Sequence, residues 1–571
     1  VVSDSKKMEK EIALEGGVGF NRLSILDLSS DGHQPMCNTD ESIFIAFNGE
    51  VYNAFDFKKE LIDAGYNFKS RTDTEVILYL YEHLGIEATL EKLNGMFSLC
   101  IVDLRKRKIW LARDHMGIKP LYIYQNENTV LFSSEVKSFY AHPSFKANIA
   151  NSHLDEYLTF RYCSGENFLL EDVKQVKPGH LVEICEGSIK STRYWQIPDS
   201  ETCPASSASD RVDELDELLA NAVDSQLISD VRLGSQLSGG IDSSLITAYA
   251  SKKVEEKLET FSIVFQNESI SEDNWISQAV STSGVHSHRY MFQVPDLIKL
   301  FEKATWHLDQ PINLPNSLGI YLLAEKSKEL VTVLLSGEGA DEIFGGYSRY
   351  YDAKIRSQIQ PWTSVLKRIP ILNNRLEKKF RLSYSADDAF ILASSGMDES
   401  ELVRLKSGFD IDRAMESRRS RLASIPGEGI SRFLKYDMET YMVDLLIRQD
   451  KMTMAHSVEN RVPFLDRRLV NFSRTLPENI LVSGLGKLKK NTSTKIVLKK
   501  LAEEHFDNDF VYRIKNGFPL PLDEFFNAPD FVTYMEEIIL PGIEHRAILD
   551  IAVVRNWWSQ IGQGHRGLPR K

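Results

Sequence analysis

The run Ser238-Gly239-Gly240-Ile241-Asp242-Ser243-Ser244 carries residue types that could bind a phosphate chain. It lies between a predicted strand, residues 231–237, and a predicted helix that begins at residue 241. Paired glycines let a backbone turn tightly and approach a ligand. The free N–H groups at the start of a helix favour an anion, and the Asp242 carboxylate can bind a divalent cation. We therefore predict a phosphate site built from Ser238, Gly239, Gly240, Asp242, Ser243 and Ser244.

A second loop of the same kind, Ser336-Gly337-Glu338-Gly339-Ala340-Asp341-Glu342, follows the apolar run 331–335. A continuous apolar run of this length is typical of a buried parallel strand. Two such loops could close on a triphosphate from two sides, with Asp242 and Asp341 sharing Mg²⁺. Strands and helices alternate from residue 210 onward, which predicts a doubly wound parallel sheet with ligands at the carboxyl ends of its strands. The region after it is predicted to be helical.

The first 143 residues contain short alternating strands, which indicate stacked sheets in an α+β arrangement. Thr72 and Glu75 have the spacing of a capping box, so a helix should run from there to residue 84. Asn48-Gly49 taken alone is most often a hairpin turn. Residues 151–195 are interpreted as a bridge between two domains.

Longer motifs in the sequence resemble those of a known protein family. The segments 22–25, 32–36, 47–50, 73–75 and 117–122 resemble, in order and spacing, a class II glutamine amidotransferase domain. The two serine-glycine loops resemble those of ATP pyrophosphatases, and 441–466 and 513–518 resemble the asparagine synthetase signature. Nearly the whole chain is thus similar to glutamine-hydrolysing asparagine synthetases. The resemblance implies a truncated Ntn-type αββα sandwich over 1–195, a linker over 196–209, and an ATP-pyrophosphatase-type synthetase domain with a helical C-terminal part over 210–571.

The same resemblance assigns the glutamine site. Asn48 and Gly49 would form the oxyanion hole, Arg22 would bind the glutamine carboxylate, and Asp73 its ammonium group. The remaining matched positions are Leu23, Ile25 and Glu50. In the family an amino-terminal cysteine attacks the glutamine amide. Since that cysteine and its His-Arg-Gly-Pro-Asp stretch are not in the sequence, which begins at Val1, we expect a preceding segment to carry them.

For the synthetase site, the resemblance matches Leu237, Ile263, Ser336 and Gly337 to positions that contact ATP. Glu338 matches the acid that acts in forming and consuming the acyl-adenylate, and Lys515 matches a lysine that contacts phosphate. Glu459 and Arg461 either line an ammonia path or form a structural ion pair.

The implied substrates are glutamine, aspartate and ATP, with Mg²⁺ required. ATP would adenylate the aspartate side chain, and ammonia from glutamine would displace AMP to give asparagine. Two alternatives stay open. Residues 271–275 and 309–317 depart from the usual family pattern, so the acceptor could be another carboxylate, such as a uronic acid or a modified peptide. A β-lactam-synthetase-like cyclase with an inactive glutaminase domain would also account for the absent cysteine.

Composition limits the partners. The formal net charge is −13, which disfavours nucleic acid and anionic membranes as main partners. The five cysteines are scattered, which fits a reducing compartment, and the cytosol is predicted. The basic stretch 487–500 is predicted to be a solvated helix face. The oligomeric state that we consider is a homodimer.

Overall fold

The computed structural model describes residues 16–201, 208–266, 271–293, 297–362, 376, 379–484, 492–513 and 522–562. Lys515 therefore lies outside the described residues, and so do residues 202–207 of the predicted linker. Within the first described range the strands are β1 (Met36–Cys37), β2 (Ile43–Val51), β3 (Gly95–Asp103), β4 (Lys108–Arg113), β5 (Tyr122–Gln125), β6 (Val130–Ser133), β7 (Val173–Gln175), β8 (His180–Cys185) and β9 (Ser188–Arg193).

These strands form two antiparallel sheets. The larger has the order β1-β2-β3-β4-β8-β9 and the smaller the order β6-β5-β7. The α-helices of this part are Lys58–Asp63, Asp73–Leu84, Ile86–Lys92 and Asn151–Phe160, with 3-10 turns at Ser30–Gly32, Ala54–Phe57 and Val136–Ala141. Because β7 to β9 complete both sheets, the interpretation of 151–195 as a bridge between domains is wrong: Leu181, Val182 and Ile184 of β8 are buried in the sheet.

The layers follow from which side chains each strand buries. One face of the larger sheet packs Ile45, Phe47 and Phe97 against the helix Asp73–Leu84. Its other face packs Leu111 and Val182 against the smaller sheet. The 3-10 turn Val136–Ala141 packs on the outer face of the smaller sheet, where Val136 and Phe139 pack with Tyr122 and Tyr124. Two packed sheets covered on both outer faces agree with the predicted Ntn-type sandwich. The predicted cap is half formed, since Thr72 Oγ1 accepts from the Glu75 N–H while the Glu75 carboxylate accepts from Lys69 and Ser70 instead.

The second part is built on a parallel sheet. Its strands are β10 (Leu233–Gln236), β11 (Glu259–Val264), β12 (His286–Met291), β13 (Val333–Leu335) and β14 (Glu459–Arg461). They lie in the order β12-β11-β10-β13-β14, and every pairing is parallel. The doubly wound prediction is confirmed. The edge strands β12 and β14 were not predicted, because their polar sequences carry no alternating apolar pattern.

Helices cover both faces of this sheet and make up the C-terminal part, as predicted. Their bounds are Ala208–Ser225, Ile241–Ser251, Asp273–Ser283, Leu297–Leu308, Ser317–Ser327, Ala340–Phe344, Ser348–Ile359, Ala386–Leu392, Glu399–Leu405, Ile411–Ala423, Gly429–Glu439, Tyr441–Met454, Arg467–Thr475, Glu478–Leu481, Ile496–Ala502, Asn508–Val511, Leu522–Phe526, Pro529–Tyr534, Leu540–Arg546 and Ile551–Gly562. Short turns at Gln360–Trp362 and Pro463–Leu465 are 3-10, and Met535–Ile539 is a π-helical turn. Among the helices of the described part of the chain, none is both long and apolar enough to cross a bilayer.

The two sheet systems share one interior. Tyr52, Met96 and Phe160 of the first part belong to the same apolar cluster as Leu215 and Phe464 of the second. Buried ion pairs also cross the interface, joining Lys119 to Asp450, Glu50 to Arg461 and Glu156 to Arg418. Charges removed from water are tolerated only when paired, so these pairs fix the relative position of the two parts.

Candidate active site

The first candidate site is a cavity of about 690 Å³ in the N-terminal part. Its lining includes all seven residues predicted to bind glutamine: Arg22, Leu23, Ile25, Asn48, Gly49, Glu50 and Asp73. Lys451, Met454, Ser457 and Glu459 of the second part also line it. The cavity therefore reaches the boundary with the parallel sheet. Its volume is in the range of small-molecule pockets.

Asn48 and Gly49 do not form a turn. Both lie inside β2, where Asn48 pairs with Ser98 and Gly49 with Phe97. Gly49 has φ of 150°, and a Cβ atom there would lie 2.0 Å from the Met96 carbonyl oxygen, so the position requires glycine. The Asn48 side-chain amide donates to Ser134 Oγ at 3.2 Å, which leaves its second N–H for a ligand.

Arg22 is held by backbone carbonyls. Its guanidinium donates to the carbonyl oxygens of Leu26, Asp27 and Ser29 at 2.6–2.9 Å. It also packs against Gly32, where a Cβ atom would lie 2.0 Å from Nη2. Three of its five N–H groups are thereby used, and the charge itself is not neutralised by these neutral acceptors. A cation fixed in this way suits the carboxylate of an amino acid.

Two buried carboxyl groups lie in the same cavity. Asp73 accepts from the Val51 N–H at 2.9 Å, and burial raises its pKa to about 6. Glu50 has its pKa raised well above the ordinary value by burial and by the charge of Asp73, while Arg461 and Lys119 oppose this. Two adjacent acids in a desolvated pocket favour a cationic ligand group, because its charge relieves their repulsion.

A cysteine also lines this cavity. Cys100 lies in β3, and burial raises the pKa of its thiol to about 12. The thiolate is the nucleophilic form, so Cys100 is a poor candidate for attack on an amide.

The first nucleotide loop is shaped by its own hydrogen bonds. Ser243 Oγ accepts from the Ser238 N–H at 3.2 Å, and Ser238 Oγ accepts from the Gly240 N–H at 3.3 Å. Gly239 has φ of 77°, which favours glycine. Leu237 is buried and donates its N–H to Phe261, while Ser244 and Ile263 are buried behind the loop. The helix Ile241–Ser251 thus begins at the carboxyl end of the central strand β10.

The second loop packs directly on the first. A Cβ atom at Gly337 would lie 2.6 Å from the Ser243 nitrogen, so only glycine allows this approach. Lys495 then joins the two loops, because its Nζ lies 2.7 Å from Asp242 Oδ1 and 2.6 Å from Asp341 Oδ1. The two predicted metal ligands therefore converge on one ammonium group.

Lys495 was missed by the sequence reasoning, which predicted a solvated face for the whole basic stretch. That prediction is wrong for Lys495 and Lys499, which are buried, while Lys500 is exposed and pairs with Glu503. Lys495 precedes the helix Ile496–Ala502 with φ of 50°. The only signal in the sequence was the position of a basic residue before an apolar helical run.

Glu338 is part of the second loop. Its Oε1 is 3.3 Å from Arg448 Nη2, and Arg448 Nη1 donates to Asn316 at 2.9 Å. Arg448 therefore connects the unusual segment 309–317 to Glu338. The other unusual segment borders the first loop, where Glu272 Oε1 lies 3.6 Å from Arg513. Arg513 in turn donates to the carbonyl oxygen of Gly239.

The carboxylates where the two loops meet are possible ligands for Mg²⁺. Within the described residues no group of three or more His, Cys, Asp or Glu side chains could hold a metal ion. Mg²⁺ commonly takes one or two protein carboxylates, and phosphate oxygens and water complete its octahedron. Asp242 and Asp341 supply two carboxylates that already converge on one cation, so they fit Mg²⁺ bound together with a nucleotide.

The cavity with its fixed cation and buried carboxyl groups, and the two serine-glycine loops joined by Lys495, fit the class of ATP-dependent ligases that carry a glutamine amidotransferase domain. Comparison with known families gives the same class: residues 5–195 match the glutamine amidotransferase domain and residues 214–571 match asparagine synthase. The protein is an ATP-dependent ligase with a glutamine amidotransferase domain. It belongs to the asparagine synthase family.

Similar proteins cover most of the chain. Asparagine synthetase [glutamine-hydrolyzing] 1 of Bacillus subtilis is 33% identical over 89% of this chain and 80% of that protein. Asparagine synthetase [glutamine-hydrolyzing] 3 of the same species is 31% identical over 88% and 79%. Amidase chry2 of Gibberella zeae is 26% identical over 94% and 85%.

Proposed function

We propose that this protein is a glutamine-dependent asparagine synthetase that adenylates aspartate with ATP and releases AMP and pyrophosphate. The observation that carries the proposal is the convergence of Asp242 and Asp341 on the Lys495 ammonium, 2.7 and 2.6 Å away, where the two phosphate loops meet. The amino-acid pocket that reaches the same interface supports glutamine as the source of nitrogen.

In the glutamine pocket, Arg22 binds the α-carboxylate and Asp73, with Glu50 beside it, binds the α-ammonium group. Asn48 and Gly49 donate N–H groups to the oxygen that becomes negative when the side-chain amide is attacked. Hydrolysis then breaks the C–N bond and leaves glutamate and ammonia. Glu459 and Arg461 form a buried ion pair at the boundary of the two parts, and ammonia from this pocket would pass beside that pair on its way to the second site.

In the nucleotide site, an oxygen of the aspartate side-chain carboxylate attacks the α-phosphorus and the bond to the β-phosphate breaks. Asp242 and Asp341 would hold Mg²⁺, which when bound neutralises charge on the departing pyrophosphate. Lys515, which matches a phosphate-contacting lysine of the family, would supply a further cation to the phosphates. Ammonia attacks the acyl carbon, AMP departs, and Glu338, oriented by Arg448, accepts the proton that the nitrogen releases.

A second acceptor is supported by a specific observation. Asn316 and Glu272 come from the two segments that depart from the family pattern. Arg448 joins Asn316 to Glu338, and Arg513 joins Glu272 to Gly239 of the first loop. A carboxylate other than aspartate is therefore the runner-up. The cyclase alternative is less well supported, because an inactive glutaminase domain would not need Arg22, Asn48 and Asp73 around one cavity.

The test is an acceptor panel with ATP, MgCl₂ and ammonium chloride as nitrogen donor. Pyrophosphate release is measured with L-aspartate, L-glutamate, glucuronate and a carboxyl-terminal peptide, and products are identified by mass spectrometry. We expect release with aspartate only and its loss in Asp242→Asn, whereas Asp224→Asn, on the exposed ion pair with Lys253, behaves as wild type. Release with another acceptor alone would favour the runner-up, and release with none would refute adenylation.

A further inference from the structure

Arg461 links the two candidate sites through its side chain and its backbone. The guanidinium is fully buried and lies 3.2 Å from Glu50 Oε2 in the wall of the amino-acid pocket. It also pairs with Glu459 at 2.9 Å and donates to the carbonyl oxygens of Gln226 and Ile228, both at 2.7 Å. Its donors are thus shared between the pocket wall and the second part of the chain.

The backbone of the same residue holds the second nucleotide loop. The Arg461 carbonyl accepts from the Ser336 N–H at 2.9 Å and from Ser336 Oγ at 3.4 Å. Gly337, the next residue, packs on Asp242 and Ser243 of the first loop. A single residue, Arg461, therefore connects a carboxylate of the glutamine pocket to the loops that close on ATP.

The strand that carries Arg461 depends on this side chain. β14 is three residues long and lies at the edge of its sheet, with β13 as its one strand neighbour among the described residues. A short edge strand is weakly fixed by backbone hydrogen bonds alone. The ion pair with Glu50 and the two carbonyl contacts then decide where the Arg461 carbonyl lies.

We propose that Arg461 is a positioning residue through which occupancy of the glutamine pocket tightens the nucleotide loops around ATP. The inference rests on the proposed function, since it assumes that the α-ammonium group of glutamine binds beside Glu50 and Asp73. That group stabilises the charged form of Glu50 and so strengthens its pair with Arg461. The pair fixes β14, and the fixed carbonyl holds Ser336 and Gly337 in the position that receives phosphate.

The direction of the coupling follows from the charge state of Glu50 in the unliganded protein. Burial and the neighbouring Asp73 raise the pKa of Glu50, so without a ligand its charged form is disfavoured and its pairing with Arg461 is weaker. A bound ammonium group favours the charged form of Glu50 and so strengthens its pairing with Arg461. Coupling of this kind is reciprocal, so ATP should tighten glutamine binding by the same factor.

The test measures the dissociation constant of α,β-methylene-ATP with MgCl₂ by titration calorimetry, with and without saturating L-glutamine. We expect glutamine to tighten nucleotide binding about fivefold or more in the wild type. The coupling ratio is the dissociation constant without glutamine divided by that with glutamine. In Arg461→Lys, which cannot span Glu50, Glu459 and both carbonyls, this ratio should fall to within about twofold of one. Nucleotide binding without glutamine gives the reference for each variant.

Arg418→Lys is the matched control. Arg418 is also fully buried and pairs across the same interface, with Glu156 at 2.9 Å. Its guanidinium hydrogen bonds go to Glu156 and Tyr162 and, among the described residues, not to the two nucleotide loops. It should keep the wild-type ratio. If Arg461→Lys does not fold, Glu50→Gln, which keeps the shape but cannot carry the charge, should lose the ratio instead.

The outcomes separate this inference from the proposed function. If the wild type binds the analogue equally with and without glutamine, or if Arg461→Lys keeps the full ratio, the inference is wrong while adenylation stands. If Arg418→Lys loses the ratio equally, general loosening of the interface explains the result and the inference is again wrong. If the wild type does not bind the analogue at all, the proposed function fails.

Discussion

Replacing Lys495 with methionine removes the ammonium group that Asp242 and Asp341 share. Because each carboxylate oxygen lies within 2.7 or 2.6 Å of Nζ, the two oxygens are no more than about 5.3 Å apart, the sum of these distances. Both side chains are mostly buried, at 13% and 19% exposure. At an effective dielectric constant of about 20, two like charges at this separation repel by about 3 kcal/mol.

The variant should therefore lose about 3 kcal/mol of stability in the second part of the chain, within the range for breaking a buried ion pair. A loss of this size lowers the melting temperature by roughly 5–10 °C. MgCl₂ without nucleotide should recover much of that loss, since a divalent ion can take the place of the ammonium between two carboxylates. Wild-type protein should respond less to MgCl₂, because Lys495 already occupies the position.

Differential scanning fluorimetry over a MgCl₂ series measures both effects. Lys500→Met is the control, as Lys500 lies on the following helix and makes an exposed pair with Glu503. Such pairs are worth little, so its melting curve should match the wild type at every Mg²⁺ concentration. The reasoning is refuted if Lys495→Met melts like the wild type, or if MgCl₂ shifts all three proteins equally.

Three further results are expected. Since burial raises the pKa of Asp73 from 3.8 to about 6, raising the pH through this window should destabilise the unliganded protein but strengthen glutamine binding. Calorimetry on Asp73→Asn should show a weaker pH dependence, to which only the buried Glu50 of this pair still contributes. Gly49→Ala should lower the melting temperature, because its Cβ would lie 2.0 Å from a carbonyl oxygen, whereas Gly17→Ala, with nothing within 4 Å, should not. Arg513→Met, which removes the contact with Gly239, should raise the KM for ATP about tenfold with little change in melting temperature.

The parts of the site that could be predicted from sequence are those set by local chemistry. The glycines and serines of both loops mark a turn between a strand and a helix, so both strand–loop–helix units could be predicted from the local sequence. The β3–β4 hairpin was found in the same way, because a polar turn separates two apolar runs. In each case the signal and the structure lie within a few residues of each other.

What could not be predicted depends on distant parts of the chain. Asn48-Gly49 has the local sequence of a turn, but pairing of β2 with β3 overrides it. Lys495 is buried because it meets Asp242, 253 residues earlier in the sequence. β14 is polar and short, and its charges are satisfied across the interface by Glu50 and Lys119, so no hydrophobic pattern marks it.

The central claim is that a carboxylate attacks the α-phosphorus of ATP where the two loops meet. The most direct test uses L-aspartate labelled with ¹⁸O in the side-chain carboxylate, with unlabelled ATP, MgCl₂ and ammonium chloride. Mass spectrometry should find asparagine, pyrophosphate, and AMP that carries one ¹⁸O atom in its phosphate. Formation of ADP and phosphate, or of AMP without the label, would contradict the account.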